Sequence, residues 1–152
     1  METQIQEKMT HSLKSYILVA AQFSIIAFFV WYSSAWDGLA TNVLTVIALI
    51  VGVWAVGTMR FRVSVLPDVL EKQKLYTGGP YRYVRHPMYS AVLLATFAWM
   101  CNRPDVFTVG AWIALIVVLV AKLNYEEKQL KNKFSNYKEY TQRTKRLIPY
   151  IY

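Results

Sequence analysis

Thr77-Gly-Gly-Pro-Tyr-Arg-Tyr-Val-Arg-His-Pro-Met-Tyr89 gathers two glycines, two prolines, two arginines, a histidine and three tyrosines directly before an apolar stretch. Gly78-Gly79-Pro80 is a turn signal, because glycine tolerates positive φ and proline fixes its own φ. Pro87 stands where a helix starts, the position at which its missing N–H costs nothing. Arg85 and His86 therefore fall at a helix N-terminus, beside unsatisfied and positively polarised backbone N–H groups. A cationic, hydrogen-bonding corner at the rim of an apolar helix suits a polar small molecule. The plainer reading of the same residues is an interfacial anchor, since arginine and tyrosine crowd membrane boundaries without doing chemistry.

Working outward, the flanking segments place this corner in a membrane protein. The chain has 152 residues, enough for a single domain, and is 55% hydrophobic with a mean hydropathy of +0.26 and a formal net charge of +8. High apolarity with a basic balance argues for the bilayer. The charges separate apolar runs instead of clustering on a base-reading motif, so nucleic acid is not an expected partner. Cys101 is the only cysteine, which excludes an internal disulfide, and two distant histidines, His11 and His86, make a metal site unexpected.

The expected architecture is all-α. Met1–Lys14 reads as a short helical or frayed lead-in without a signal-peptide cleavage pattern. Spans follow over residues 16–34 and 39–59, the first broken only by Gln22 and Ser24 and closed by Trp31, Tyr32 and Trp36. Gly52 and Gly57 lie in the second, where glycine usually permits close helix packing. A long polar connection, Arg60–His86, carries Arg62, Lys72 and Lys74 besides the motif's own arginines. Residues 87–101 make a third, short helix, about 22 Å long against a bilayer core of about 30 Å. Asn102-Arg103-Pro104-Asp105 reverses the chain into a helix over 106–123, completing a helical hairpin and four spans. Beyond it, Leu130, Phe134, Tyr137 and Thr141 fall at helical spacing among lysines, which predicts an amphipathic surface helix over 126–142. Of all Lys and Arg residues only Arg103 lies in the turns after the first and third helices. The positive-inside rule then makes both termini and the Thr77–Tyr89 stretch cytoplasmic, in a multi-pass protein of a prokaryotic cytoplasmic membrane.

A second constellation lies on that same side. Glu126 and Glu127 follow Lys122 by about one turn. Adjacent helical residues point about 100° apart, so the two carboxylates are not one acid–base pair. One can face a recess beside the stunted helix while the other pairs with a lysine, as Glu127 would with Lys131 at i,i+4. Carboxylates hold ammonium groups and ribose hydroxyls, Arg and helix N-termini hold carboxylates, and tyrosines stack on a flat base. S-adenosylmethionine offers all three parts, and so in large measure do NADPH and other nucleotides.

Gly79-Pro-Tyr-Arg-Tyr-Val-Arg-His-Pro-Met-Tyr89, then Glu126-Glu127 with Leu130, Phe134, Tyr137 and Tyr140, and the closing Arg143-Thr-Lys-Arg-Leu-Ile-Pro149, resemble the isoprenylcysteine carboxyl methyltransferase and phospholipid methyltransferase family of membrane enzymes. The resemblance runs from about Gly52 to the last residue. It implies methyl transfer from S-adenosylmethionine to a lipophilic acceptor, with S-adenosylhomocysteine as product. It further implies a cofactor pocket built from Gln73, Lys74, Leu75, Tyr76, Tyr81, His86, Pro87, Met88, Tyr89, Glu126 and Glu127. Arg85 and Lys122 are the implied catalytic residues. Lys122 occupies the position at which the isoprenylcysteine enzymes carry an arginine that steers the substrate carboxylate; lysine supplies charge there but no bidentate fork. Membrane sterol reductases, which bind NADPH, share a similar C-terminal half and a Pro-x-Ile-Tyr ending like Pro149-Tyr-Ile-Tyr152. A non-enzymatic lipid- or partner-binding membrane protein is the third reading.

Overall fold

The computed structural model describes residues 2–33, 37–60, 67 and 74–152, with the backbone alone described over 2–12. Its helices are α1 (Glu2–Tyr32), α2 (Leu39–Thr58), α3 (Pro87–Asn102), α4 (Val106–Lys133) and α5 (Tyr137–Arg143), with a 3-10 turn over Gly79–Arg82 between α2 and α3. The described residues form no β-strand beyond an isolated parallel bridge between Val84 and Lys145. The protein is thus all-α, and α1, α2 and α4 are each long and apolar enough to cross a membrane.

Three boundaries differ from the sequence expectation. From Glu2 onward the lead-in is continuous with the first span, so α1 is one helix ending at Tyr32. Among the described residues three helices have the length of a span where four spans were expected: α3, short as expected, has 16 residues, about 24 Å of rise, and falls short of the bilayer core. The separate surface helix over 126–142 does not exist. Nothing between Leu123 and Lys133 breaks the ladder, since the segment holds no glycine or proline, and α4 runs on as one rod. The break comes at Phe134-Ser135-Asn136, where serine and asparagine favour a turn, and α5 follows. Ser34, Trp36, Arg62 and Lys72 lie outside the described residues.

α2 packs most extensively on α3, and α1 on α4. In lipid, helices are held by close packing more than by water exclusion, so small residues matter. A Cβ on Gly52 would lie 3.7 Å from the Ala91 Cβ, and Ala48 and Ala55 are also buried on α2. Phe29 and Trp99 centre the core between α1 and α3, with Ile25, Phe28, Ala95 and Trp112 packed around them. The Trp99 indole N–H donates to Thr45 Oγ1 at 3.0 Å, tying α3 to α2.

The α3–α4 reversal is fixed at both ends. Asp105 caps α4, accepting from the Phe107 and Thr108 amides at 2.9 Å each, while Thr108 Oγ1 accepts from the Asp105 amide at 3.1 Å. Arg103 lies 4.1 Å over the Tyr32 ring and donates to the Tyr32 carbonyl at 2.9 Å, joining this turn to the end of α1. From that cap, about 20 residues of α4 fill a hydrocarbon core of about 30 Å. Lys122 therefore falls just inside the far boundary, and Glu126-Glu127 just beyond it.

Candidate functional site

The glycine-proline turn and the α3 N-terminus form one rigid corner. Gly79 has φ of +57°, and a Cβ there would sit 2.5 Å from Thr58 Oγ1, so the turn is pressed against the last residue of α2 in a way glycine alone permits. The last residues of the chain complete the corner. The Arg85 amide donates to the Lys145 carbonyl at 2.8 Å, the His86 amide to the Arg146 carbonyl at 3.0 Å, and the Ser90 hydroxyl to the Leu147 carbonyl at 2.5 Å. The backbone donors just before α3 are thus met by the tail.

The two glutamates part company, as their angular separation requires. Glu127 is buried and inward-facing: Arg85 Nε donates to its Oε1 at 2.7 Å, and Arg146 lies 3.2 Å from its Oε2. Arg85 Nη1 donates to the carbonyls of Thr141 and Thr144. Its guanidinium therefore clamps motif, α4 and tail together. The lysine partner expected for Glu127 is replaced by these two arginines. Glu126, by contrast, accepts from the Tyr89 hydroxyl at 3.0 Å and lines a polar pocket with Lys74, Leu75, Tyr76, Tyr81 and Tyr137. His86 stands between the carboxylates, its Nδ1 3.6 Å from Glu126 Oε2 and its Nε2 3.5 Å from Glu127 Oε1. At that length and geometry Nε2 makes no hydrogen bond among the described residues, although it is buried. The imidazole stacks on the Tyr89 ring, centroids 5.3 Å apart and planes 2° from parallel.

Three tyrosines of the pocket, Tyr81, Tyr137 and Tyr140, are kept as neutral donors. Burial first, and the nearby Glu126 second, push the Tyr81 phenol well above its ordinary range. Burial likewise raises Tyr137, with Glu127 adding to it, and lifts Tyr140 to about 12. Tyr140 donates to the Tyr81 carbonyl at 2.7 Å and Tyr81 to Met59 Sδ at 3.3 Å, whereas the buried Tyr137 hydroxyl has no hydrogen-bond partner among the described residues.

On the far side of Tyr89 lies a second and larger space, an apolar cavity of about 480 Å³ between α1, α2 and α3. Met88, Tyr89, Gly52 and Val92 line it, and its polar atoms come largely from Lys122 and Gln22. The residues expected from sequence are therefore divided. Lys74, Leu75, Tyr76, Tyr81, Arg85 and Glu126 line the polar pocket; Met88 and Lys122 line the apolar cavity; Pro87 is buried as the first residue of α3; Gln73 lies outside the described residues. Tyr89 lines the apolar cavity and is tied to the polar pocket by the bond from its hydroxyl to Glu126.

Residues 36–137, more than half of the chain, match the family model of the phospholipid methyltransferases. The chain belongs to that family. Among similar proteins, protein-S-isoprenylcysteine O-methyltransferase B of Arabidopsis thaliana is 34% identical over 87 residues, 53% of this chain and 42% of its own. The probable protein-S-isoprenylcysteine O-methyltransferase of Oryza sativa subsp. indica is 34% identical over 85 residues, 53% of this chain and 44% of its own. The cobalt-zinc-cadmium resistance protein CzcN of Cupriavidus metallidurans is 27% identical over 127 residues, 82% of this chain and 58% of its own. This phospholipid methyltransferase family member spans about half the length of the curated relatives it matches.

Several contributors escaped the sequence reading. Leu130 and Tyr137 were visible as helical periodicity but read as a surface stripe, because the turn at Ser135-Asn136 was not recognised as what folds Tyr137 back on Leu130. Tyr140 entered only through the family resemblance. Arg146 was read within the closing stretch of the resemblance, and the tail carbonyls carry no residue-type signal; their roles come through the bridge to Val84 and the Arg146–Glu127 ion pair. Gln22 had a signal, an amide alone in an apolar span, that pointed to no partner.

Proposed function

We propose that the chain, acting as a single domain, transfers a methyl group from S-adenosylmethionine to a lipophilic acceptor at the cytoplasmic membrane face, releasing S-adenosylhomocysteine. The observation that carries this reading is the shared wall between the two spaces. Tyr89 lines the apolar cavity, and its hydroxyl donates to Glu126 in the polar pocket. A lipid chain on one side and a nucleoside on the other would have their reactive ends within one side chain of each other.

The donor set suits the cofactor. Glu126 offers an acceptor for an ammonium or ribose hydroxyls, the four tyrosines offer ring faces to a base, and the buried Tyr137 hydroxyl is a donor with no protein acceptor among the described residues. The polar pocket as it stands measures about 30 Å³, against several hundred for ordinary ligand sites, so loading requires its side chains to part. When bound, the cofactor supplies a methyl group on a sulfonium, already activated for transfer. The protein's work is then to align the acceptor and exclude water. Lys74, Leu75, Tyr76 and Tyr81 hold the nucleoside end, with Glu126 beside them, and the resemblance assigns Gln73 the same role. His86, Pro87, Met88 and Tyr89 shape the wall at which transfer occurs. Arg85 and Glu127 position His86, and Lys122 faces the acceptor. A carboxylate acceptor needs no base; for an amine or thiol, His86 Nε2 or Glu126 can take the proton.

Titration calorimetry of purified protein with S-adenosylhomocysteine and with NADPH, followed by transfer of labelled methyl to a total lipid extract, tests this reading. Binding of S-adenosylhomocysteine and a labelled lipid product are expected. Binding of NADPH alone would move the protein toward the sterol reductases, and binding of neither would leave a lipid- or partner-binding membrane protein.

A further inference from the structure

Gln22 lies on α1, before the residues matched to the family, yet it reaches the inner wall of the apolar cavity. Its Oε1 accepts from Lys122 Nζ at 2.5 Å, and both side chains are buried. Lysines near the end of a membrane helix ordinarily stretch toward the headgroups to keep their charge in water. Lys122 does the opposite. Helical side chains lean toward the N-terminus of their helix, which on α4 is toward the bilayer interior. There the ammonium lies between the Gln22 oxygen and the face of Tyr89, 5.3 Å from the ring centroid. With its carbonyl engaged, the Gln22 amide has only N–H donors left, and the ammonium offers N–H donors alone. Gln22 and Lys122 thus both present donors at this end of the cavity, in a setting where a charge is weakly screened.

We propose that Gln22 is a specificity-determining residue. It holds the Lys122 ammonium inside the cavity and so selects lipophiles whose head is anionic, a carboxylate foremost, over those whose head is an ammonium. This deepens the proposed function, on which the methyl-transfer part of it rests. The selectivity itself is a binding property and stands or falls separately.

The test uses the full chain in detergent, with palmitate and hexadecylamine as probes, retained ligand being counted by native mass spectrometry at neutral pH. Wild-type protein should retain palmitate at least about tenfold better, and Gln22→Ala should bring that ratio close to one. Gln22→Glu keeps an oxygen for Lys122, and so keeps the packing, but neutralises the ammonium; it should shift preference toward the amine. A merely structural glutamine would not produce that reversal. Thermal unfolding reports whether each variant remains folded, and S-adenosylhomocysteine affinity is measured separately. Should Gln22→Ala unfold, Gln22→Glu alone decides. No preference in wild type, or an unchanged ratio in a folded Gln22→Glu, would overturn the proposal even if methyl transfer is found. A preference that Gln22→Glu reverses, in a protein that binds no S-adenosylhomocysteine, would sustain it and defeat the methyltransferase reading instead.

Discussion

Glu126 and Glu127 are chemically identical neighbours with opposite duties, and the difference is one of surroundings. Glu127 sits between two guanidinium groups with its side chain 3% exposed, whereas the Glu126 side chain is 20% exposed and faces the pocket. Glu127→Gln leaves Arg85 and Arg146 buried or half-buried beside a neutral amide. Losing one partner of a buried ion pair costs about 3 kcal/mol or more, so a clear fall in thermal stability in detergent is expected. Glu126→Gln removes a charge at a pocket wall and should leave the melting temperature nearly unchanged while weakening S-adenosylhomocysteine binding at least about tenfold by calorimetry. Equal behaviour of the two variants in both assays would erase the distinction. Gly79→Ala poses a separate residue-level test. The new Cβ would meet Thr58 Oγ1, which is held in place by donating to the Trp54 carbonyl at 2.8 Å, and the backbone would have to keep its φ of +57°. A destabilisation of about 1–3 kcal/mol follows from strain and overlap together. The double variant Gly79→Ala/Thr58→Ala should recover only the part due to overlap.

Helix boundaries show where periodicity is informative and where it is not. α2 and α3 were readable almost to the residue because their starts carry turn signals, Asp37-Gly38 and the His86-Pro87 junction, and α3 ends at Asn102-Arg103-Pro104. α4 was cut too early because the change from apolar to charged composition near Asn124 was taken for an end of helix. Hydrogen bonding along the backbone is indifferent to whether side chains are wetted, so a helix leaves the bilayer without ending. Hydrogen exchange provides the check: amides from Tyr125 through Lys131 should be protected as one continuous block with the span before them, and protection should lapse at Ser135 and Asn136. A protection gap at Asn124 would restore the two-helix reading. Because α4 is unbroken, Lys122 and Glu126 keep a fixed separation of about one turn, which is what lets one helix serve both the apolar cavity and the polar pocket.

The site as a whole depends on contacts that no local pattern could announce. The sequence placed Arg85-His86 and the glutamates on one face, and the chemistry of each was legible from residue type. That the tail closes the corner was not, because the Val84–Lys145 bridge joins segments some sixty residues apart through backbone atoms, which are the same for every residue. Residues 144–147 supply the acceptors for the Arg85 amide, the His86 amide, the Ser90 hydroxyl and the Arg85 guanidinium. Arg146 meanwhile supplies the second charge on Glu127. None of these four residues lines the polar pocket. Ending the chain after Arg143 should therefore abolish S-adenosylhomocysteine binding without removing a single pocket residue, because buried donors at the start of α3 lose their partners and His86 loses its setting. Ending it after Ile148 leaves all four residues and their carbonyls in place and should retain most of the affinity. If the shorter chain binds as well as the full one while remaining folded, the corner is self-supporting and the tail is only an adornment of the surface. If both truncations fail alike, the Leu147 and Ile148 amides, which donate to the Tyr152 carbonyl at 2.7 and 2.8 Å, are what holds the tail in register.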